Sequence, residues 1–226
     1  MNRNRVTVFA LLICGALAFP MTASAAMTSS GGLALGASAG IGGQADVTLA
    51  NLAEGLPASV RFGLGYWQLD PGDALAARHV FINANDNGDP IKSGHRWDLR
   101  MDVMRELRGG ALRGWWIGIG PRYSKFRGDY DFVGGNETFY ITTHQWGLGS
   151  ALERRWPTGP ETELVFGGGF DWFANATIGG HDSSYSPDGS SVSPVDNYTW
   201  QDADRAIHQP RFAPRVLVGL QHRFGH

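Results

Sequence analysis

What most limits this chain is a period of two. In HRWDLRMDVMREL (His95 to Leu107), Trp97, Leu99, Met101 and Val103 alternate with Arg96, Asp98, Arg100 and Asp102. Successive side chains of a strand point to opposite faces, so the segment carries one apolar face and one charged face. A helix would scatter both sets around its circumference. The pattern returns in ASVRFGLGYWQL (58–69), GWWIGIGPRYSKF (114–126), HQWGLGSALERRW (144–156), TELVFGGGFDWFA (162–174) and RVLVGLQHRFGH (215–226). Two fainter runs, LALGASAGI (33–41) and DVTLANL (46–52), precede them and bring the strands to eight.

A soluble sandwich and a membrane barrel both use alternation, and the connections separate them. RGGAL and PTGP are short, whereas 70–94, 127–141 and 177–209 are long, and short alternates with long. Outer-membrane barrels have this asymmetry, with short periplasmic turns and longer external loops. The first hairpin, with its tip near GIGGQ, is then unusually short. After the first 25 residues no run approaches the ~18 apolar residues of a membrane helix, so a membrane crossing would use strands. The aromatics fall into two belts: Trp115, Trp156 and Phe224 at the periplasmic ends, and Tyr66, Trp97, Tyr123, Trp146 and Trp172 towards the outer ends. From Trp115 to Tyr123 is about 26 Å of strand, or ~20 Å across a membrane at the usual tilt. Lone glycines on the polar face suit a narrow lumen. The expected fold is an all-β, eight-stranded antiparallel up-and-down transmembrane barrel over residues 26–226.

The N-terminus, MNRNRVTVFALLICGALAFPMTASAAM, reads as a cleaved secretory signal over residues 1–25: Arg3 and Arg5, an apolar run, then Ala23-Ser24-Ala25. Its removal takes away Cys14, the single cysteine, so no disulfide or thiolate metal site is expected. The formal net charge of -2 leaves no basic footprint for nucleic acid.

At the other end, GLQHRF resembles the C-terminal assembly signal of outer-membrane barrels, with Gly219, His222 in the middle aromatic position and Phe224 last, followed by Gly225 and His226. The whole arrangement is similar to the small eight-stranded bacterial outer-membrane barrels that include the OmpA transmembrane domain and the OmpW and opacity-type proteins. That resemblance covers the entire mature chain. It implies a porin-like fold, the outer membrane of a Gram-negative cell as location, and membrane lipid and the barrel assembly machinery as partners, and it transfers no functional residue.

Eight strands enclose an interior just wide enough for side chains to fill. The inward positions include Arg61, Arg96, Arg100, Arg122, Arg155, Arg211, Arg215 and Arg223, against Asp98, Asp102, Glu106, Glu153, Glu163 and Asp171. Unpaired charges would be costly there, so a plug of ion pairs is expected. The RGGAL turn places Asp98 near Arg122, PTGP places Arg155 opposite Glu163, and Asp171 neighbours Arg211 or Arg215. The functional expectation is a structural or surface-interaction barrel, with a narrow channel for small solutes as the alternative.

A lipid-modifying barrel enzyme is the rival from another class, and would need a nucleophile and base in contact. Ser150 and His144 share a face but lie ~20 Å apart along one strand. His181, Asp182, Ser183 and Ser184, with His208, are merely close in a polar loop, so no catalytic, cofactor or metal residue is expected. NANDNGD (83–89) matches the oxygen-rich start of a calcium loop but has Gly94 where the bidentate Glu belongs. Turn chemistry explains the same residues. The last loop, with Asp182, Asp188, Asp196, Asp202 and Asp204, is long enough to bind an external partner, which the sequence does not identify.

Overall fold

The computed structural model describes residues 27–53, 55–134, 137–174, 176–182 and 198–224. The signal segment and Cys14 lie outside the described residues, as do Ser183, Ser184, Asp188 and Asp196.

Eight antiparallel strands close into a barrel: β1 (Thr28–Ser38), β2 (Ile41–Ala50), β3 (Ser59–Leu69), β4 (Asp89–Glu106), β5 (Trp115–Val133), β6 (Glu137–Pro157), β7 (Thr162–Phe173) and β9 (Phe212–Phe224). Each pairs with the next in sequence, β7 pairs with β9, and β9 closes on β1 from Ser29↔Phe224 to Ser38↔Arg215. A ninth segment, β8 (Thr177–Asp182), continues the path of β7 after a break and pairs with the outer half of β6. It lengthens the wall without adding a strand to the ring.

Alternation sets the register. Leu33, Leu35, Ile41, Ile119 and Trp146 are each more than 60 % exposed, while Arg61, Asp102, Arg122 and Asp171 are buried. In water this would be inside out; in lipid, apolar side chains belong outside. The first hairpin is tight, with Ala39 in the left-handed region at φ 54°.

All three long connections differ from the expectation, and 177–209 opens with β8 and carries a helix, Trp200–Ala206. Segments 89–94 and 127–141, read as loop, are mostly strand: β4, β5 and β6 run well beyond the aromatic belt. Alternation persists there with its sign reversed. On β5 the apolar residues face outward through Tyr123, then inward from Phe126 through Tyr130 and Phe132; on β6, Phe139 and Ile141 face inward but Trp146 and Leu148 outward. The reversal falls at one level, since Tyr123 pairs with Trp146 and Phe126 with Thr143. Such a reversal is what a wall facing lipid below that level and water above it requires, since apolar side chains then turn in only above it.

The inward apolar residues above the belt form a small core with two helices, α1 (Ala74–Phe81) and α2 (Trp200–Ala206), and together these make a cap over that end of the barrel. Ala74, Ala77, Phe81, Ala203, Ala206 and Ile207 pack on Phe126, Tyr130, Phe132, Phe139 and Ile141. Asp73 caps α1 by accepting from the Ala76 N–H, and Thr199 caps α2 by accepting from the Asp202 N–H. The helix-bearing loops meet at Gly72 (φ 112°), where an added Cβ would lie 2.2 Å from the Ala206 carbonyl oxygen. Asp73 N–H donates to that same carbonyl at 2.9 Å.

Candidate functional site

The lumen holds the charged residues in tiers. Uppermost, the Arg96 guanidinium, fully buried, meets Asp98 at 2.8 Å and donates to the Ser38 hydroxyl at 2.8 Å. In the middle, Arg122 bridges two strands' carboxylates, donating to Asp102 and Asp171 at 2.7 Å each. Arg215 also donates to Asp171, and Arg100 to Asp102 (3.2 Å) and Gln44. Lower down, Arg61 grips Glu153 with two parallel bonds of 2.6 and 2.8 Å, and Arg155 donates to the same Glu153 at 2.8 Å. Arg155 also lies 4.0 Å over the Trp116 ring.

Small residues make this crowding possible. An added Cβ at Gly149 would stand 2.1 Å from an Asp171 oxygen and 2.3 Å from Arg122 Nε. At Gly63 it would meet the Arg100 side chain at 2.7 Å. What remains open in the middle is a cavity of about 40 Å³ lined by Gln44, Asp46, Arg61, Arg100 and Glu153 among others. That is room for about three water molecules at roughly 10–15 Å³ each. A larger vestibule of about 320 Å³ opens at the end of the barrel opposite the helices, lined by Trp116, Arg155, Glu161, Glu163 and Arg223.

The register corrects the expected pairs. Asp98 stands opposite Ser124, and Arg122 opposite Arg100. Arg155 stands opposite Val165, and Glu163 opposite Pro157. Both hairpins turn one residue later than assumed, which slides each pairing by two and leaves every side chain on its assigned face. In the second, the Thr158 and Gly159 N–H groups both donate to the Thr162 carbonyl and set the turn.

Asp171 takes Arg215; Arg211 is not in the lumen. It precedes β9, is half-exposed and meets Asp204 of α2 at 3.4 Å. Arg223 and Glu163 sit at the mouth opposite the helices, 3.8 Å apart, and Glu106 lies half-buried at that end, opposite Trp116.

Sequence reasoning missed Gln44, Asp46 and Thr48 on β2, because its small residues dilute the alternation; Arg61 reaches Thr48 at 3.1 Å and Asp46 at 3.5 Å. It also missed the cap's ion pair. Arg78, fully buried on α1, donates to Glu137 at 2.5 Å and lies 4.2 Å over the Phe132 ring. Outside the barrel, Lys92 meets Asp70 at 2.8 Å, and this bond, with the Gly72 N–H, holds the Asp70 carboxyl below the usual range.

The outer wall carries the aromatic belts. Tyr66 packs on Trp97 at 4.7 Å and Tyr123 on Trp146 at 4.9 Å, with Trp172 opposite Leu148. Trp115, Trp156 and Phe224 lie at the far end of their strands. In the terminal segment, Phe224 stacks edge-on with His222 at 5.3 Å and lies against Gly31 of β1. Gly219 faces inward, where an added Cβ would lie 2.3 Å from the Leu33 carbonyl oxygen.

His144 and Ser150 are not brought together: His144 bonds the Tyr123 hydroxyl at 2.8 Å, and Ser150 accepts from the Phe170 N–H. The side chains of His181 and Asp182 lie outside the described residues, and the His208 N–H donates to Pro71 in the cap. In NANDNGD, Asn83 and Asn85 accept from the N–H groups two residues on, and Asn83 donates to Glu137.

No family model matches the chain, and no curated protein matches it. Among solved structures, a major outer membrane protein from Thermus thermophilus aligns with 88 % of this chain and 100 % of its own, at 24 % identity and a TM-score of 0.70. Neisserial surface protein A covers 88 % of this chain and 96 % of its own at 9 % identity and TM-score 0.40. CarO2 of Acinetobacter baumannii covers 87 % and 98 % at 12 % identity and TM-score 0.45. The Thermus structure alone carries weight for the architecture. With the closed ring, the exposed apolar wall and the buried charges, it makes this chain an eight-stranded β-barrel of the outer-membrane type.

Proposed function

We propose that the chain is an integral outer-membrane barrel, closed at rest, with a structural or surface-interaction role. The observation that carries the reading is Arg122, buried and bonded at 2.7 Å to carboxylates on two other strands, so that one ion-pair tier spans the lumen. The apolar core over the outer mouth supports it independently: an ion would have to displace Phe126 and Phe132 as well as break charged pairs. Two seals of different chemistry suit a barrel that anchors an external surface better than one that passes solute. The test is a planar bilayer containing the purified protein. Rare, flickering conductance or none is expected; a steady, large conductance would overturn the closed reading and favour a small-solute channel.

A further inference from the structure

Just above the outer aromatic belt, the outward face of the β4–β5–β6 wall carries His95, Lys125, Arg127 and His144. They are adjacent by register: His95 pairs with Arg127, and Lys125 stands between Trp97 and His144. None of Lys125's outward neighbours is acidic: across the strands are Trp97 and His144, diagonally His95, Leu99, Thr142 and Trp146, and along the strand Tyr123 and Arg127. Arg127 meets Asp129 at 2.7 Å and lies 4.0 Å over the Tyr140 ring, so part of its charge is already engaged. By contrast, the outward positions of β1, β2, β3, β7 and β9 carry neither Lys nor Arg. The cations are gathered on one wall.

Below them a groove crosses the outside of the barrel from β2 to the edge of β6. It is apolar, holds about 780 Å³ and runs between Phe62, Leu64, Leu99, Pro121, Tyr123 and Trp146, and its upper end is marked by the last two, one strand step below Lys125 and His144. Two residues of strand span about 7 Å, so the charge sits immediately over the mouth of the groove. Cations over an apolar trough, at the level where aromatic side chains mark the membrane interface, match a molecule with an anionic head and hydrocarbon chains.

We propose that this wall holds a phospholipid of net negative charge, its chains in the groove and its phosphate, uncompensated by a headgroup cation, on Lys125 and Arg127. Both imidazoles are already placed, His144 by the Tyr123 hydroxyl and His95 by stacking on Tyr66 at 5.9 Å, and they donate to the same headgroup. The inference rests on the membrane reading but not on the lumen being closed, and its readout is separate from conductance.

The test is native mass spectrometry of the full-length mature barrel in detergent, titrated with phosphatidylglycerol and with phosphatidylcholine of the same chain length. The wild type should retain phosphatidylglycerol in preference. Lys125→Gln should cut that preference about fivefold, the worth of one cation near a lipid surface. Lys125→Gln with Arg127→Gln should cut it further, and Arg205→Gln, in the cap, should leave it unchanged. Each variant's unfolding shift on gels reports whether the barrel is intact; if the double variant fails to fold, the exposed Lys125→Gln decides alone. Equal retention of the two lipids by the wild type, or a preference that survives Lys125→Gln, would overturn the proposal. So would competition by inorganic phosphate at millimolar concentration that abolishes the preference, because the site would then read phosphate without needing the chains.

Discussion

The middle tier of the lumen makes a sharp demand, because three guanidiniums (Arg100, Arg122 and Arg215) face two carboxylates (Asp102 and Asp171). Cations are already in excess, so losing an anion should cost more than losing a cation. Asp171→Asn removes the negative charge shared by Arg122 Nε (2.7 Å) and Arg215, and its amide keeps one acceptor oxygen but turns an NH2 donor toward the other guanidinium; the other bond of Arg215 is to the Ser150 carbonyl at 3.1 Å. Removing one partner of a buried pair costs about 3–5 kcal/mol, and the single carboxylate left cannot serve three cations. Arg122→Met keeps similar bulk and leaves two guanidiniums against two carboxylates, each still bonded, so its cost should be no more than about 2 kcal/mol. The measurement is urea unfolding of both variants in lipid vesicles, followed by tryptophan fluorescence, with the gel shift on heating as a second probe. If Asp171→Asn unfolds within about 1 kcal/mol of wild type, or if Arg122→Met proves the worse of the two, the tier is not acting as a buried charge balance.

Four further outcomes follow from the same structure. Arg122→Ala, which deletes a bridge between strands and leaves a gap, should raise the frequency of channel openings in a planar bilayer while lowering heat stability; unchanged openings would mean that other tiers suffice. Phe224→Asp should reduce insertion, because it places a charge at the last lipid-facing position, where the ring lies against Gly31; normal amounts of heat-modifiable barrel would contradict this. Glu137→Ala leaves Arg78 buried without its carboxylate and should expose the cap to protease while the barrel stays folded, at a local cost of about 3–5 kcal/mol. The Asp70–Lys92 contact contributes in full above the ordinary carboxylate pKa of about 3.9 and is lost progressively as pH falls from there through the depressed value; it is largely exposed and worth at most about 1 kcal/mol. Cap proteolysis should therefore rise only slightly below pH 4, and not at all in Asp70→Asn relative to its own neutral-pH rate.

Alternation made the wall legible, since period two assigns faces without any knowledge of partners. It placed Asp98, Asp102, Arg122 and Glu153 inside, and Trp97, Trp146 and Trp172 outside. It could not give the partners, because pairing depends on where a turn closes, and an error of one residue at the turn moves each pair by two while leaving faces intact. That is why Arg155 was matched with Glu163 when Glu153, two residues along its own strand, receives it. Arg211 was lost for a different reason: proline at 210 and 214 brackets a chain start whose direction alternation does not settle. The cap does leave a trace in the sequence. The change from odd to even apolar positions between Tyr123 and Phe126, and its mirror between Ile141 and Trp146, marks where lipid gives way to water. No comparable signal announces Arg78, whose partner lies 59 residues away.

The cap core draws on residues 74–82, 126–141 and 203–207, so it closes only when three connections far apart in the chain have been brought to the same end of the barrel. Until then Phe126, Phe132 and Phe139 have no cover from α2. Once Ala203, Ala206 and Ile207 dock, pulling any of these hairpins back would re-expose aromatic surface at roughly 25 cal/mol per Å². The outer assembly therefore works as a clasp: it stays open while any one of the three connections is missing, and withdrawal of any of them is opposed once all are docked.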